Sequence, residues 1–419
     1  MIKSLPVLLT LLTFAAAPFV SQAQYTERIL YSFADTGNWP SSPLIFDAAG
    51  NLYGTTGFSP VGTGEVFELS PSSGGTWTET TLYSSDLEPV NHPNGSPIFD
   101  AQGNLYAVSS SGGSADLGTV FELSPSPTGW TLTVLYSFQG GADGYGPSGS
   151  LIFDSKGNLY GTTWYGGGGT GAECYFYSGG CGTVFELSPS STGWTEKVLY
   201  AFSGTSDGAF PNNGLLMDKT GNLYGSTYNG GNTTACYSQG CGTVFRLTPS
   251  GGTWHFGLLW ALRYTNGDRP TSLVFDSTGN LYGVANGGGK TFCSGGCGVV
   301  FKLTRPASSG PWKQSVLHAF MGADGWDPSG LTIEPNTNAL FGTAGSGGSN
   351  HQGTVFEVSP AASGGWQFTT LYNFGRKPDG AGPQGGVTLD SQGNLYGTTQ
   401  VGGTDNLGTV FELSPPSSN

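Results

Sequence analysis

The chain has 419 residues, a net charge of −14, only 10% charged side chains and no Lys/Arg cluster. It therefore lacks the basic footprint that nucleic acids and anionic membranes require. Its 72 glycines and 25 prolines stand beside 13% aromatics, which describes a turn-rich folded protein, because disordered chains are poor in aromatic side chains.

At the N-terminus Lys3 precedes an apolar run, Leu5 to Val20, and a small-x-small site, Ser21-Gln22-Ala23. This is the layout of a secretory signal peptide over residues 1–23, with the mature chain beginning at Gln24. A membrane anchor competes, but the run is short for a span and a cleavage site follows it. No later stretch reads as a membrane span.

From there one word organises the sequence: Gly157-Asn158-Leu159-Tyr160-Gly161-Thr162-Thr163. Its copies place Asn51, Asn104, Asn158, Asn222, Asn280, Asn338 and Asn394 at the same point. Six steps cover 343 residues, about 57 each, a period of solenoids, propellers or arrays. Each unit holds four strand-like segments. The first is Pro-led and ends in an acid, as in Pro147 to Asp154; the others end at Asp47, Asp100, Asp218, Asp276, Glu334 and Asp390. A tight turn follows, opened by the acid and closed by Gly. The second segment is the Asn-Leu-Tyr-Gly-Thr-Thr word. The third is Gly182-Thr183-Val184-Phe185-Glu186-Leu187-Ser188-Pro189, with copies at Phe67, Phe121, Phe245, Phe301, Phe356 and Phe411. The fourth runs from a Trp to Leu-Tyr-Ser-Phe, as in Trp130 to Phe138. Unit two carries Ala107-Val108-Ser109 for Gly-Thr-Thr, and unit six departs at Asn338-Ala339-Leu340-Phe341.

Short β-branched or aromatic runs bounded by Gly, Pro, Asn and Ser are strands and hairpins. Four per unit, seven times over, predict an all-β, seven-bladed β-propeller of four-stranded antiparallel blades, as a single domain over residues 24–415 with a short tail at 416–419. The chain opens with a fourth-type segment, Tyr25 to Phe33, and finishes with a third-type one, Gly408 to Pro415. The N-terminal strand is thus expected to complete the last blade, leaving no open edge.

Six cysteines fall as Cys174/Cys181, Cys236/Cys241 and Cys293/Cys297, each pair inside the loop between second and third segments of units three, four and five. An even count in an exported chain reads as disulfides, and local pairing is the economical choice among fifteen connectivities. Zinc competes, but no pair has a sequence-adjacent His to complete four ligands.

The recurring words Gly-Asn-Leu-Tyr-Gly-Thr-Thr, Gly-Gly, Gly-Thr-Val-Phe-Glu-Leu-Ser-Pro and Leu-Tyr-Ser-Phe, in tandem after a signal peptide, resemble the choice-of-anchor tandem-repeat proteins, the GloVer-repeat family, over residues 25–415. The resemblance implies a secreted or surface-attached bacterial protein and no particular activity. The chain departs from that pattern in having no sorting tail after Pro415, which favours a soluble exported protein, read here as a monomer.

Two kinds of loop are expected on one face. The loop entering each first segment carries Asp-Gly: Asp143, Asp207, Asp324 and Asp379, with Asn266-Gly267-Asp268 and Asp35 as looser versions. These acids could ring the channel mouth and hold Ca²⁺, which takes several oxygen ligands; the plainer reading is turn chemistry. No other cofactor is suggested. The Cys loops carry aromatics: Trp164, Tyr165, Tyr175, Phe176 and Tyr177, then Tyr237, then Phe292. A stiffened aromatic loop suits ligand binding; the competing reading packs these rings back on the blade. His92, His255, His318 and His351 fall at different repeat positions, and no catalytic motif stands out. The expectation is a secreted binding or scaffold module for an extracellular glycan or protein. The alternatives are a propeller hydrolase or lyase acting on polysaccharide at the channel mouth, and a structural envelope or matrix protein.

Overall fold

The computed structural model describes residues 25–34, 39–57, 64–85, 89–171, 174, 179–232, 234, 236, 239–308, 310–375 and 377–416. The leader assigned to residues 1–23, Asp35, and the loop aromatics Tyr175, Phe176, Tyr177 and Tyr237 lie outside them.

Seven four-stranded antiparallel sheets form a closed ring. In blades one to six the strands follow chain order; blade three consists of Tyr145–Phe153, Leu159–Tyr165, Thr183–Ser190 and Gly193–Ala201. Blade seven combines Val387–Leu389, Leu395–Thr399 and Thr409–Ser414 with Thr26–Ser32 from the start of the chain. Thr26 lies opposite Ser414 and Ser32 opposite Thr409.

Each blade's sequence explains its hairpins. Asp154 accepts hydrogen bonds at Oδ1 from the Lys156 and Asn158 N–H groups (2.8 and 2.9 Å) and at Oδ2 from Asn158 Nδ2 and the Tyr160 hydroxyl (2.8 and 3.2 Å). The same network recurs at Asp47, Asp100, Asp218, Asp276 and Asp390. Partial burial alone would raise the Asp218 carboxyl, but hydrogen bonds from Asn222 and Thr220 outweigh it and hold the group at about 2.

Unit six corrects the expected alignment. Leu340 pairs with Val358 as Leu159 pairs with Leu187, and Glu334 N–H bonds to the Ala339 carbonyl. One residue is therefore inserted, and Asn338, at φ +58°, takes the place of Gly157 at φ +83°. Asn tolerates this left-handed region better than most residues. Phe341 has no hydroxyl to donate, and there the aspartate is replaced by Glu334, which bonds Asn336 and Thr337 instead.

Inside the blades, Gly161 lies opposite Phe185, and a Cβ there would sit 2.5 Å from the Phe185 ring. The glycine makes room for the third-strand phenylalanine. Between blades, the Phe that ends five of the fourth segments crosses the seam, with Ser85 and Leu262 in its place in blades one and four. Phe138 meets Phe185 edge-on at 5.2 Å, Phe202 meets Phe245, Phe320 meets Phe356 and Phe374 meets Phe411. Phe33, from the N-terminal strand, meets Phe67 of blade one in the same way. Second-strand tyrosines meet the next blade's first strand, as in Tyr53 on Phe99 and Tyr396 on Phe46. Edge-on pairs of this kind add about 0.5–1.5 kcal/mol beyond burial.

Candidate functional site

The Pro-led first segments of all seven blades line a central cavity of about 310 Å³. Its wall is Ser, Gly, Asn, Thr, Pro, Gln and Leu, without an acid or histidine among the described residues. Aromatic and titratable side chains gather instead on the face where the second-to-third loops meet the loops entering each blade. Gly167 N–H bonds to the Gly141 carbonyl (2.8 Å), and Gly171 N–H to the Ser203 carbonyl (2.8 Å).

On this face every blade repeats one backbone feature. The residue before the first-strand proline is left-handed in all seven blades: Trp39, His92, Gly146, Phe210, Arg269, Asp327 and Gly382, at φ between +53° and +66°. For the five non-glycine residues this region is unfavourable by roughly 1–2 kcal/mol each. What holds them is the preceding blade's second-to-third loop. Its last carbonyl accepts the N–H of the left-handed residue: Leu407 from Trp39 (3.3 Å), Leu117 from Gly146 (2.9 Å), Gln352 from Gly382 (2.9 Å). In three consecutive blades that carbonyl belongs to a cysteine. Cys181 accepts from Phe210 (2.8 Å), Cys241 from Arg269 (3.0 Å) and Cys297 from Asp327 (3.4 Å). The bonds Cys174–Cys181, Cys236–Cys241 and Cys293–Cys297 are all formed, with Cα–Cα distances of 4.9, 5.3 and 5.0 Å. The disulfides thus brace the loops that fix Phe210, Arg269 and Asp327.

These residues join a continuous aromatic run. Tyr145 stacks on Tyr165 at 5.0 Å; Trp164 stacks on Phe210 at 6.0 Å and leans on Tyr228 at 5.6 Å. The Arg269 guanidinium lies 5.3 Å from the Tyr228 ring centre and 3.8 Å from Asp268. Burial raises the Asp268 and Asp327 carboxyls, and Arg269 opposes the rise in both. At one end of the run, Tyr145, Trp164 and Tyr165 wall a cleft of about 410 Å³ whose polar lining includes Asn94, Ser110 and Asp116.

The Gloeobacter/Verrucomicrobia repeat model matches residues 19–173, 57–238, 171–309 and 232–419, so that its overlapping matches cover the ring. The chain belongs to the Gloeobacter/Verrucomicrobia repeat family. No curated protein sequence matches it. Solved structures resemble it in fold. PorZ, a surface component of the type-IX secretion system of Porphyromonas gingivalis, is 14% identical at a TM-score of 0.52, over 92% of this chain and 48% of that one. An aldose sugar dehydrogenase from Streptomyces coelicolor is 12% identical at a TM-score of 0.45, over 80% and 98% of the two chains. A gluconolactonase from Xanthomonas campestris is 14% identical at a TM-score of 0.40, over 92% and 99%.

Within this Gloeobacter/Verrucomicrobia repeat ring, the Asp-Gly acids turn into their own loops. Asp143 accepts from the Tyr136 hydroxyl (2.8 Å) and the Gln139 N–H, and Asp207 from the Tyr200 hydroxyl (2.9 Å) and the Ser203 N–H. Asp324 pairs with His318 Nε2 (2.8 Å), and Asp379 accepts from the Tyr372 hydroxyl (3.0 Å). None of the four lines the central cavity. Trp164 and Tyr165 are half-buried within the aromatic run, whereas Phe292 is 75% exposed beside its disulfide. Met321 and Trp326, on the neighbouring loop, are also exposed. Sequence reasoning did not single out Tyr145, Tyr228, Phe210, Arg269 or Asp327. The signal was present: four of the seven pre-proline positions are filled by Trp, His, Phe and Arg where the turn calls for glycine.

Proposed function

We propose that this repeat protein is an exported saccharide-binding propeller, and that its ligand lies along the aromatic run of the loop face. The carrying observation is the cleft lined both by stacked Tyr145 and Tyr165, with Trp164, and by Asn94, Ser110 and Asp116. Sugar rings offer an apolar face for aromatic stacking and hydroxyls for amide and carboxylate partners, and pockets of this size and mixed lining suit small ligands. Strained backbone fixed by braced neighbours gives a preformed surface, which lowers the ordering penalty of binding. Export is supported by the three disulfides and by the leader-like sequence; among the described residues no helix is long and apolar enough to cross a membrane. A second reading, recognition of a protein surface, is favoured by the exposed Phe292, Met321 and Trp326.

A glycan array probed with residues 24–419 tests the reading. Binding of a saccharide class is expected, weakened at least tenfold by Tyr145→Ala or Tyr165→Ala and unaffected by Phe292→Ser. An array without signal, or a signal insensitive to both tyrosines in folded variants, overturns it; loss with Phe292→Ser alone points to the exposed apolar patch.

A further inference from the structure

At the opposite ends of the strands, blades four and five break a charge rule. The third strand carries glutamate in five blades, at Glu68, Glu122, Glu186, Glu357 and Glu412, but Arg246 and Lys302 in these two. Several of the glutamates are satisfied within their own blade. Glu68, Glu122, Glu186 and Glu412 accept the hydroxyl of a serine two residues on. Across the hairpin, Glu186 faces Lys197, and Glu412 faces Arg28 with an ion pair at 3.7 Å. Lys302 lies over the Tyr282 ring at 5.0 Å.

Arg246 is treated differently. Its cross-strand partner is Gly257, where the other blades carry Thr80, Thr133, Lys197, Ser315, Thr369 and Arg28. Gly257 is not among the left-handed glycines, so its backbone does not demand the residue. A Cβ there would lie 4.0 Å from Arg246 Nη2. The glycine leaves the guanidinium open on the hairpin side only; on the other side Arg246 meets Tyr224, its neighbour on the second strand, and opposes the rise that burial imposes on that hydroxyl. Arg246 Nε is buried without a hydrogen-bond partner, and among the described residues neither Arg246 nor Arg305 forms an ion pair.

Arg305 comes from the Pro-rich hairpin loop of blade five, where its N–H is fixed by Asn280 Oδ1 at 3.0 Å. Together Arg246, Gly257, Thr278, Asn280, Arg305 and Trp312 bound a cavity of about 860 Å³ with a predominantly polar wall. The acid of the adjoining turn, Asp276, does not neutralise the pair, because its oxygens accept from the Thr278 N–H and hydroxyl, the Asn280 N–H and amide, and the Tyr282 hydroxyl.

We infer that this cavity is an oxyanion site, taking one carboxylate or sulfate group carried on a saccharide-sized ligand. Guanidinium groups match both oxyanions with paired N–H donors. A chain of net charge −14 repels polyanions at long range, so two arginines select a singly charged group and not a charged polymer. The site is independent of the loop face, and either can fail without the other.

Calorimetric titration of residues 24–419 tests it with three probes: a glucuronate-containing disaccharide, a monosulfated disaccharide and a neutral disaccharide. At least one anionic probe is expected to bind ten times more tightly than the neutral one, with affinity falling as salt is added. Arg246→Gln and Arg305→Gln are each expected to weaken it about tenfold or more. Gly257→Glu, which supplies an internal counter-ion at a position that accepts side chains in the other blades, should do the same without changing the melting temperature. Carboxylate and sulfate preferences separate the two ligand sources. Equal binding of all three probes, no binding of either anion at millimolar concentration, or unchanged affinity in the folded arginine variants would each overturn the assignment.

Discussion

Glu196 and Glu27 make the stability of this ring depend on pH in an unusual direction. Both project from fourth strands toward the seam with the preceding blade. Burial, and then the Asp143 carboxylate, push the Glu196 carboxyl from its ordinary 4.5 up to about 7. Burial and the Asp379 carboxylate do the same for Glu27. The equivalent position in blade four is Phe256, stacked on Tyr200 at 4.7 Å, and in blade six it is Phe368, stacked on His318 at 3.7 Å. The remaining equivalents are Leu132, Gln314 and Glu79, and burial raises the Glu79 carboxyl as well, so the uncharged form of the side chain is the one that suits this position. In the unfolded chain each Glu ionises near 4.5; in the fold it holds its proton to about 7. The favourable contribution is complete below pH 4.5 and is lost as pH rises through 7. A rise from 4.5 to about 7 corresponds to roughly 3 kcal/mol at most, and access to water at these half-buried positions reduces that to about 1–2 kcal/mol each. Glu27→Gln with Glu196→Gln should therefore raise stability at pH 8 by about 2–4 kcal/mol and change it little at pH 5. Urea midpoints followed by Trp fluorescence at the two pH values measure the difference, and other titrating groups are common to both proteins. If the double variant loses stability at pH 8, or keeps the wild-type slope between pH 5 and 8, the seam reasoning fails.

Removing residues 25–34 takes away the fourth strand of blade seven and Phe33 from its seam with Phe67; it is expected to lower the melting temperature by well over 5 °C, whereas trimming residues 416–419 leaves it unchanged. Equal melting temperatures for the two truncations would contradict the closure. Asp154→Ala removes the acceptor of four hydrogen bonds and is expected to destabilise by about 2–3 kcal/mol. Glu334→Ala, in the blade whose Phe341 has no hydroxyl to satisfy, should be milder in the same denaturant assay, and a reversed order would refute the proposed role of the acid–tyrosine bond.

Much of the fold was legible because the repeat states it seven times. Period, turn residues and strand words are local, and a local pattern repeated at about 57 residues has to bury its faces against copies of itself. The disulfide pairing was legible for the same reason, since each pair lies within one loop. The one misalignment, at Asn338, arose because an insertion in a turn keeps the hydrophobic word intact while moving the asparagine to the glycine position. Register across the hairpin, Leu340 against Val358, is what reveals it.

The candidate sites were less legible. Asp143, Asp207, Asp324 and Asp379 left two readings open, a cation-holding ring at the channel mouth and plain turn chemistry, because sequence cannot show which way a carboxylate turns; each turns back to a Tyr or His six or seven residues earlier. Trp164 and Tyr165 were visible as aromatics, but not their stack with Tyr145, Phe210 and Tyr228, which come from other segments. Likewise the sequence shows Arg246 as a charge reversal, while only the register shows that Gly257 leaves it open on the hairpin side. By itself, then, the sequence determined the ring: its blade count, its strand order and its closure, all consequences of short-range words and the need to bury them. Tertiary structure decided the surfaces. Which side chains meet across blades depends on backbone left-handedness and strand register, held by the neighbouring blade's loop carbonyls, and such contacts join residues far apart in the chain.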